Sequence, residues 1–143
     1  DLLRSRGLGD VYKRQILLSP MDAELMETGT LVALDCSWKR IHESIRIISK
    51  TTRLESRILP ILLAGNPVSW GKRGRMSTAE ALSASLYIVG HKDQAISMLK
   101  PFKFSDAFFD LNGQLLEAYS SCHDRTELEE MQWEFFDRPS SDI

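Results

Sequence analysis

Short apolar runs dominate the first half of this chain, and helical periodicity dominates the second half. The runs "ILL", "TLVALD" and "RILPILLAG" are each strand-sized and bounded by turn-forming residues, so they predict β-strands. The last run is apolar on both faces, which is typical of a strand inside a parallel sheet. Helical segments lie between the runs. The first half therefore predicts an α/β layer arrangement.

Two helices are predicted between these strands. Ser19 is a capping residue, and Pro20 lacks only an N–H that would be unbonded in a first helical turn. This helix is expected from about Pro20 to Glu27, ending near Gly29. The second falls within "WKRIHESIRIISK", where three isoleucines recur at helical spacing.

After Asn66 the pattern becomes helical. The stretch "NPVSWGKRGRM" predicts a loop, and "STAE", Ser77 to Glu80, is a capping box that opens a helix rich in small residues. Three further helices are predicted, at about 92–100, 105–119 and 125–136. The second half therefore predicts an all-helical region.

The first fifteen residues, "DLLRSRGLGDVYKRQ", show neither helical nor strand periodicity. They resemble translated adapter sequence, and the alternative is a native flexible N-terminus. We leave them out of the fold prediction. The predicted organisation is then a foreign segment (1–15), an α/β part (16–65), a helical region (66–138) and a tail (139–143).

Length and composition fit one soluble domain with its own core. The chain has 143 residues, 43% of them hydrophobic, and no apolar run reaches the roughly 18 residues of a membrane span. The two cysteines lack any paired spacing for zinc or a disulfide framework, which favours a reducing compartment. We expect a cytoplasmic protein without a metal or a membrane partner.

Charge is distributed unevenly. Residues 36–76 hold nine Lys or Arg against two acids, whereas residues 77–143 hold five against twelve. A basic middle is expected if one face meets a polyanion, although charged runs are more often simply solvated surface. Nucleic-acid binding stays open on this ground.

Most catalytic motifs are absent from the sequence. It has no glycine-rich dinucleotide fingerprint, phosphate loop or serine nucleophile elbow, and its three histidines are scattered. The cluster Cys122-His123-Asp124 is discarded, because adjacent residues point apart and cannot form one site.

Asp35 is the exception, because it ends an apolar strand. Ligands of open parallel sheets lie beyond the carboxyl ends of the strands, which favours a functional carboxylate. The alternative, that Asp35 caps the following helix, is equally compatible with the sequence. Trp38 could likewise be a plain core residue.

Four ordered blocks carry a resemblance to a known family. "LDCSWKR", "RILPILLAGNPVSWG", "MSTAEALSASLYIVG" and "LNGQLLEAYSSC" resemble the small-subunit ribosomal RNA aminocarboxypropyltransferases. The resemblance extends from Ser19 to about Trp133. It implies a parallel sheet of the SPOUT class with a trefoil knot, incomplete here, followed by a helical C-terminal region.

The resemblance also implies a reaction and its partners. The family transfers the 3-amino-3-carboxypropyl group of S-adenosylmethionine to N3 of a pseudouridine, or its N1-methyl form, in small-subunit rRNA. We expect a monomer that acts on rRNA or the pre-ribosomal small subunit. A SPOUT-type methyltransferase and a non-catalytic ribosome-assembly module are the alternatives.

Site residues follow from the resemblance. Asp35 is expected to remove the N3 proton or to orient the cofactor. Trp38 and Ile41 would shield the methyl group. The other expected cofactor contacts are backbone groups at Leu34 (ribose) and near Leu59 and Gly74 (adenine), with Thr78 close by, and the expected phosphate contacts are Arg53, Arg57, Lys72, Arg73 and Arg75.

One departure from the family lies at the start of the chain. Family members carry there a first strand and part of the clamp for the amino-acid end of the cofactor, and this sequence has the adapter-like segment instead. We therefore expect the 143-residue chain to bind S-adenosylmethionine weakly or not at all.

Overall fold

Helices make up most of the regular structure in the computed structural model, which describes residues 16–33 and 55–139. Within these two ranges, no helix combines the length and apolar character needed to cross a membrane. The elements, in chain order, are a 3-10 turn (Pro20–Asp22), α1 (Ala23–Thr28), α2 (Thr78–Ile88), α3 (Lys92–Leu99), α4 (Ser105–Ser120) and α5 (Arg125–Phe135).

The predicted helix start at Ser19 is confirmed, with a tighter first turn. The Ser19 hydroxyl accepts a hydrogen bond from Met21 N–H at 3.3 Å, and Asp22 Oδ2 accepts one from Ser19 N–H at 3.2 Å. This reciprocal cap closes a 3-10 turn before α1 begins. The helix ends at Thr28, and Gly29 follows in an extended conformation.

The helices predicted for the second half are confirmed. Three begin and end within one residue of the expected bounds, and α2 opens on the predicted capping box. Helix α2 is buried around most of its circumference because its small residues admit close neighbours. The Ser83 hydroxyl, for example, donates to the carbonyl of Ala95 in α3 at 2.7 Å.

A polar junction joins three helices at the surface. Tyr87 of α2 donates its hydroxyl proton to Glu117 of α4, and Lys92 of α3 lies 3.1 Å from the same carboxylate. Burial and the hydrogen bond to Glu117 raise the pKa of Tyr87 to about 12. The hydrogen bonds from Tyr87 and Lys92 lower the pKa of Glu117. At neutral pH the phenol is therefore protonated and the carboxylate ionised, as the junction requires.

Strand pairing in the described residues is sparse. Leu17 and Ile58 form a parallel bridge, which agrees with the parallel sense predicted for these runs, and Leu63 and Arg73 form an antiparallel one. The extended sheet expected from the sequence is not seen in residues 16–33 and 55–139. The second predicted strand has no ladder in residues 30–33, and its last two residues lie outside the described part.

The antiparallel bridge corrects the prediction for residues 66–76. Ala64 N–H donates to Lys72 O at 2.9 Å, and Gly74 N–H donates to Leu62 O at 3.2 Å. The stretch expected to be a loop therefore returns and pairs with the segment that precedes it. Its positive-φ glycines, Gly71 and Gly74, provide the turns.

Residues 61–64 form the extended segment that pairs with residues 72–74, and side chains bind the edge of this segment that faces away from the pairing. Ile61 N–H donates to Gln132 Oε1 at 3.0 Å, and its carbonyl accepts from the Tyr119 hydroxyl at 2.8 Å. Asn112 bonds both backbone groups of Leu63, each at 2.8 Å. Polar groups of α4 and α5 thus do what a neighbouring strand would do, and no backbone group at Ile61 or Leu63 is buried without a partner.

Gly65 continues this edge against the backbone of α4. A Cβ at Gly65 would lie 2.5 Å from Phe108 Cα and 2.6 Å from Phe108 N, and neither atom can move without shifting the helix. We expect Gly65→Ala to lower the free energy of unfolding by about 1–3 kcal/mol, measured by urea denaturation.

Gly113→Ala is the matched control. A Cβ at Gly113, in the interior of α4, meets no atom within 4 Å apart from its chain neighbours and the backbone of its own helix, so alanine should be neutral or stabilising by up to about 1 kcal/mol. Equal effects of the two substitutions would contradict the close approach at Gly65.

Candidate functional site

Some of the predicted site residues lie within residues 16–33 and 55–139, and others lie outside these ranges. Leu59, Gly74 and Thr78 lie within the described residues, as do four of the five arginines and lysines. The residues that lie outside the described ranges are Leu34, Asp35, Trp38, Ile41 and Arg53.

The structure brings two of the expected adenine-contacting segments together. Leu59 is buried, and three residues later Leu62 accepts the hydrogen bond from Gly74 N–H. The Gly74 amide is therefore bonded within the protein. Thr78 follows at the first position of α2.

The buried carboxylate of Glu80 bonds to both ends of the loop at residues 66–76. Glu80 is 0% exposed, and its Oε2 accepts from Gly65 N–H at 2.6 Å. Its Oε1 accepts from the Asn66 side-chain amide and from Ser77 N–H, both at 2.8 Å. Among the described residues every donor to this carboxylate is an N–H group of a neutral residue, and none is a cation. We call Glu80 and these three donors the Glu80 clamp.

Asn66 extends the clamp into the loop. Its Oδ1 accepts from Ser69 N–H at 3.0 Å, and its Nδ2 also donates to Arg75 O at 3.2 Å. The sequence identified Glu80 only as a capping residue. The capping box was a local signal, but nothing local indicated that the same carboxylate also binds Gly65 and Asn66.

The basic residues of the loop differ from Arg57 in their surroundings. Lys72, Arg73 and Arg75 are exposed, and none of the described carboxylates pairs with them. The Arg73 guanidinium lies 4.6 Å from the ring centre of Phe136. Arg57 is only 17% exposed and contacts Asp22 at 3.1 Å, so part of its charge is neutralised inside the protein.

Asp22 is a structural junction that the sequence did not reveal. Its buried carboxylate contacts Arg57 and also Arg125 of α5, at 2.8 Å. Arg125 in turn donates to Leu17 O at 2.8 Å. The 3-10 turn, the parallel bridge and α5 are therefore fixed to one another through one carboxylate.

An open groove has a volume of about 600 Å³. One side is formed by α1 and residues 29–31, and the other by helices α2 and α3. Its lining is mixed: Met26, Leu31, Leu82 and Met98 are apolar, and His91 is polar. Within the described residues, no group of His, Cys, Asp or Glu is arranged to hold a metal ion.

The side chains of residues 122–124 make separate contacts. Cys122 is a buried free thiol whose pKa burial raises, so it is not a reactive thiolate. His123 is exposed beside Glu127, and Asp124 caps α5 through Glu127 N–H at 2.8 Å. The three side chains serve separate purposes.

Comparison with known proteins gives consistent matches. Residues 12–136 match the model of a family described as "Ribosome biogenesis protein, C-terminal". The 16S rRNA aminocarboxypropyltransferase of Methanosphaera stadtmanae is 46% identical over 118 residues, which are 82% of this chain and 68% of that protein. The 18S rRNA aminocarboxypropyltransferase of Schizosaccharomyces pombe is 36% identical, over 92% of this chain and 45% of that protein.

A solved structure is also similar. It is described as the SAM-dependent rRNA:acp-transferase Tsr3 from Vulcanisaeta distributa, and it matches with a TM-score of 0.64 and 35% identity. The match covers 82% of this chain but 62% of that one. The chain thus matches a part of that solved structure and not its whole length.

Proposed function

The chain belongs to the family of small-subunit rRNA aminocarboxypropyltransferases, and from this premise we propose that it transfers the 3-amino-3-carboxypropyl group of S-adenosylmethionine to rRNA. The observation that carries the proposal is the 46% identity over 118 residues to a curated 16S rRNA aminocarboxypropyltransferase. The acceptor in the proposal is N3 of a pseudouridine, or of its N1-methyl form, in small-subunit rRNA.

The proposal includes a fold of the SPOUT class, with a trefoil knot, for the α/β part at 16–65 and a helical region at 66–138. The parallel bridge between Leu17 and Ile58 supports it. In this proposal the protein is a monomer, is located in the cytoplasm and acts on the pre-ribosomal small subunit.

Cofactor binding in this proposal uses the segment and loop joined by the Glu80 clamp. When bound, S-adenosylmethionine supplies an electrophilic carbon beside its sulfonium. Leu59 and the carbonyl of Gly74 hold the adenine with Thr78 close by, and the backbone at Leu34 holds the ribose. Trp38 and Ile41 cover the methyl group, so that the propyl carbon faces the RNA.

Asp35 acts on the RNA side of the reaction. N3 of a uracil ring carries a proton near neutral pH and cannot attack carbon until that proton is removed. A carboxylate placed beside N3 can accept that proton, or can hold the cofactor in the orientation for attack.

RNA binding uses the exposed cations Lys72, Arg73 and Arg75, together with Arg53 and Arg57. The lack of described carboxylate partners for the first three supports this role, because unneutralised cations are the groups that bind phosphates. The target is a single-stranded loop whose base can enter the site.

Product analysis tests the proposed reaction. We would use this chain and a chimera whose residues 1–15 are replaced by the corresponding N-terminal segment of the Methanosphaera relative. Each is incubated with labelled S-adenosylmethionine and unmodified small-subunit rRNA, and nucleosides and cofactor products are identified by mass spectrometry. We expect methylthioadenosine and an aminocarboxypropylated uridine, at least from the chimera.

Two other results would contradict the proposal. S-adenosylhomocysteine with a methylated nucleoside would identify a methyltransferase. Tight rRNA binding without either product from the chimera would identify a non-catalytic assembly module. The matched control is the heat-denatured chimera, which measures how much product forms without the folded protein.

A further inference from the structure

The loop held by the Glu80 clamp exposes two apolar side chains at its tip. Val68 is 89% exposed and Trp70 is 61% exposed. A tryptophan is usually well buried, since its ring removes a large apolar area from water. An exposed indole on a fixed loop therefore indicates a surface that meets something else.

The loop backbone around Trp70 is well ordered by hydrogen bonds. Ser69 N–H donates to Asn66 Oδ1 at 3.0 Å, and Lys72 N–H donates to Ser69 O at 3.0 Å. Gly71 N–H donates to Ala64 O at 2.7 Å. The chain on both sides of Trp70 is thus bonded to the body of the protein, and the outward position of the indole is built into the turn.

The charges beside Trp70 favour one class of partner. Lys72 and Arg75 follow within five residues, are exposed, and pair with none of the described carboxylates. Arg73 lies against the Phe136 ring. An aromatic face flanked by cations that pair with no described carboxylate suits unpaired nucleotides, which present a π-face and a phosphate at every step. An apolar protein partner would leave these cations uncompensated.

We propose that Trp70 stacks on an unpaired base of the RNA while Lys72 and Arg75 bind the flanking phosphates. This inference rests on the proposed function and adds to it a base-contacting residue. Stacking tolerates any base, so Trp70 contributes affinity and positions the strand, and it does not choose the modified nucleotide. An aromatic replacement preserves the contact, whereas an aliphatic one removes it.

Affinity for a single-stranded probe tests the stacking. A fluorescein-labelled uridine-rich RNA 12-mer is titrated with the full chain, with Trp70→Ala, with Trp70→Phe and with Val68→Ala, at four salt concentrations. We expect the Kd of Trp70→Ala to rise about tenfold, with Trp70→Phe recovering most of the affinity. The slope of log Kd against log salt should stay that of the parent, because no phosphate contact is lost, whereas Lys72→Ala should lower that slope by about 0.7.

Val68→Ala is the matched control. Val68 belongs to the same loop and is more exposed than Trp70, but it has no π-face. The Kd of Val68→Ala for the RNA should therefore stay within about twofold of the parent. Circular dichroism melting of each variant checks that the exposed substitutions leave the fold intact.

The outcomes separate this inference from the proposed function. If the parent binds the RNA and Trp70→Ala binds equally well, stacking is wrong and the proposed function stands. If Val68→Ala weakens binding as much as Trp70→Ala, or if Trp70→Phe fails to recover it, the contact is not stacking on a base. If the parent does not bind single-stranded RNA, both the stacking and the proposed RNA surface are wrong.

Discussion

Replacing Glu80 with alanine is expected to lower the free energy of unfolding by about 3–5 kcal/mol. The substitution removes the acceptor of three N–H donors: that of Gly65, which is buried, and those of Asn66 and Ser77, which are half-buried. The unpaired donor of Gly65 costs about 1–3 kcal/mol, the half-buried donors cost less, and the loss of a buried, fully bonded carboxylate adds its packing to the total. Urea denaturation followed by circular dichroism measures the change.

Glu80→Gln separates hydrogen bonding from packing. Glutamine has nearly the same volume, but both carboxylate oxygens accept hydrogen bonds, so either orientation of the amide points an NH₂ group at an N–H donor. We expect a loss of about 2–3 kcal/mol. If packing alone mattered, this variant would be almost as stable as the parent.

Glu127→Ala is the matched control for the Glu80 clamp. Glu127 occupies the same third position in α5, yet its carboxylate is exposed and contacts only His123 among the described residues. Its removal should change stability by less than about 0.5 kcal/mol. A change of less than about 1 kcal/mol in Glu80→Ala would contradict the role assigned to Glu80.

Asp35→Asn is expected to lower the rate of aminocarboxypropyl transfer by about 10²–10⁴-fold. The amide cannot accept the N3 proton, although it preserves the shape of the side chain. The rate is measured in the chimera with the Methanosphaera N-terminal segment, as methylthioadenosine release at saturating RNA and cofactor. RNA affinity should be unchanged, because the phosphate contacts lie on other residues.

The pH dependence distinguishes the two roles of Asp35. If it is the base, the rate of Asp35→Asn should rise with pH as N3 loses its proton to solvent, while the parent rate levels off. If it orients the cofactor, the KM for S-adenosylmethionine should rise and the pH profile should keep its shape. Asp93→Asn, an exposed acid in the first turn of α3, is the control. Unreduced turnover in Asp35→Asn would overturn both roles.

Local signals in the sequence predicted the helices well. Ser19 with Pro20, and Ser77 with Glu80, marked helix starts that the structure confirms. Capping depends on residues three positions apart, so a single sequence contains the whole signal.

Contacts between distant residues could not be predicted in this way. Asn112 and Gln132 looked like polar helix residues, yet both are buried and bind the backbone of the segment at 61–63, 49 and 71 residues away. The antiparallel return at Arg73 was missed because the glycines and proline of its sequence are equally typical of an open loop. The candidate site was predicted from family resemblance, and its Glu80 clamp came from the structure.

The side chains that bind the edge at Ile61 and Leu63 also have a consequence for biosynthesis. A chain emerging from the ribosome exposes this apolar segment long before Asn112, Tyr119 and Gln132 have been made, since Gln132 follows Ile61 by 71 residues. Until then its unpaired backbone groups can pair with other nascent chains. Stalled or C-terminally truncated translation products should therefore aggregate or recruit chaperones. Once α4 and α5 have left the ribosome, their side chains should cover the backbone groups at Ile61 and Leu63.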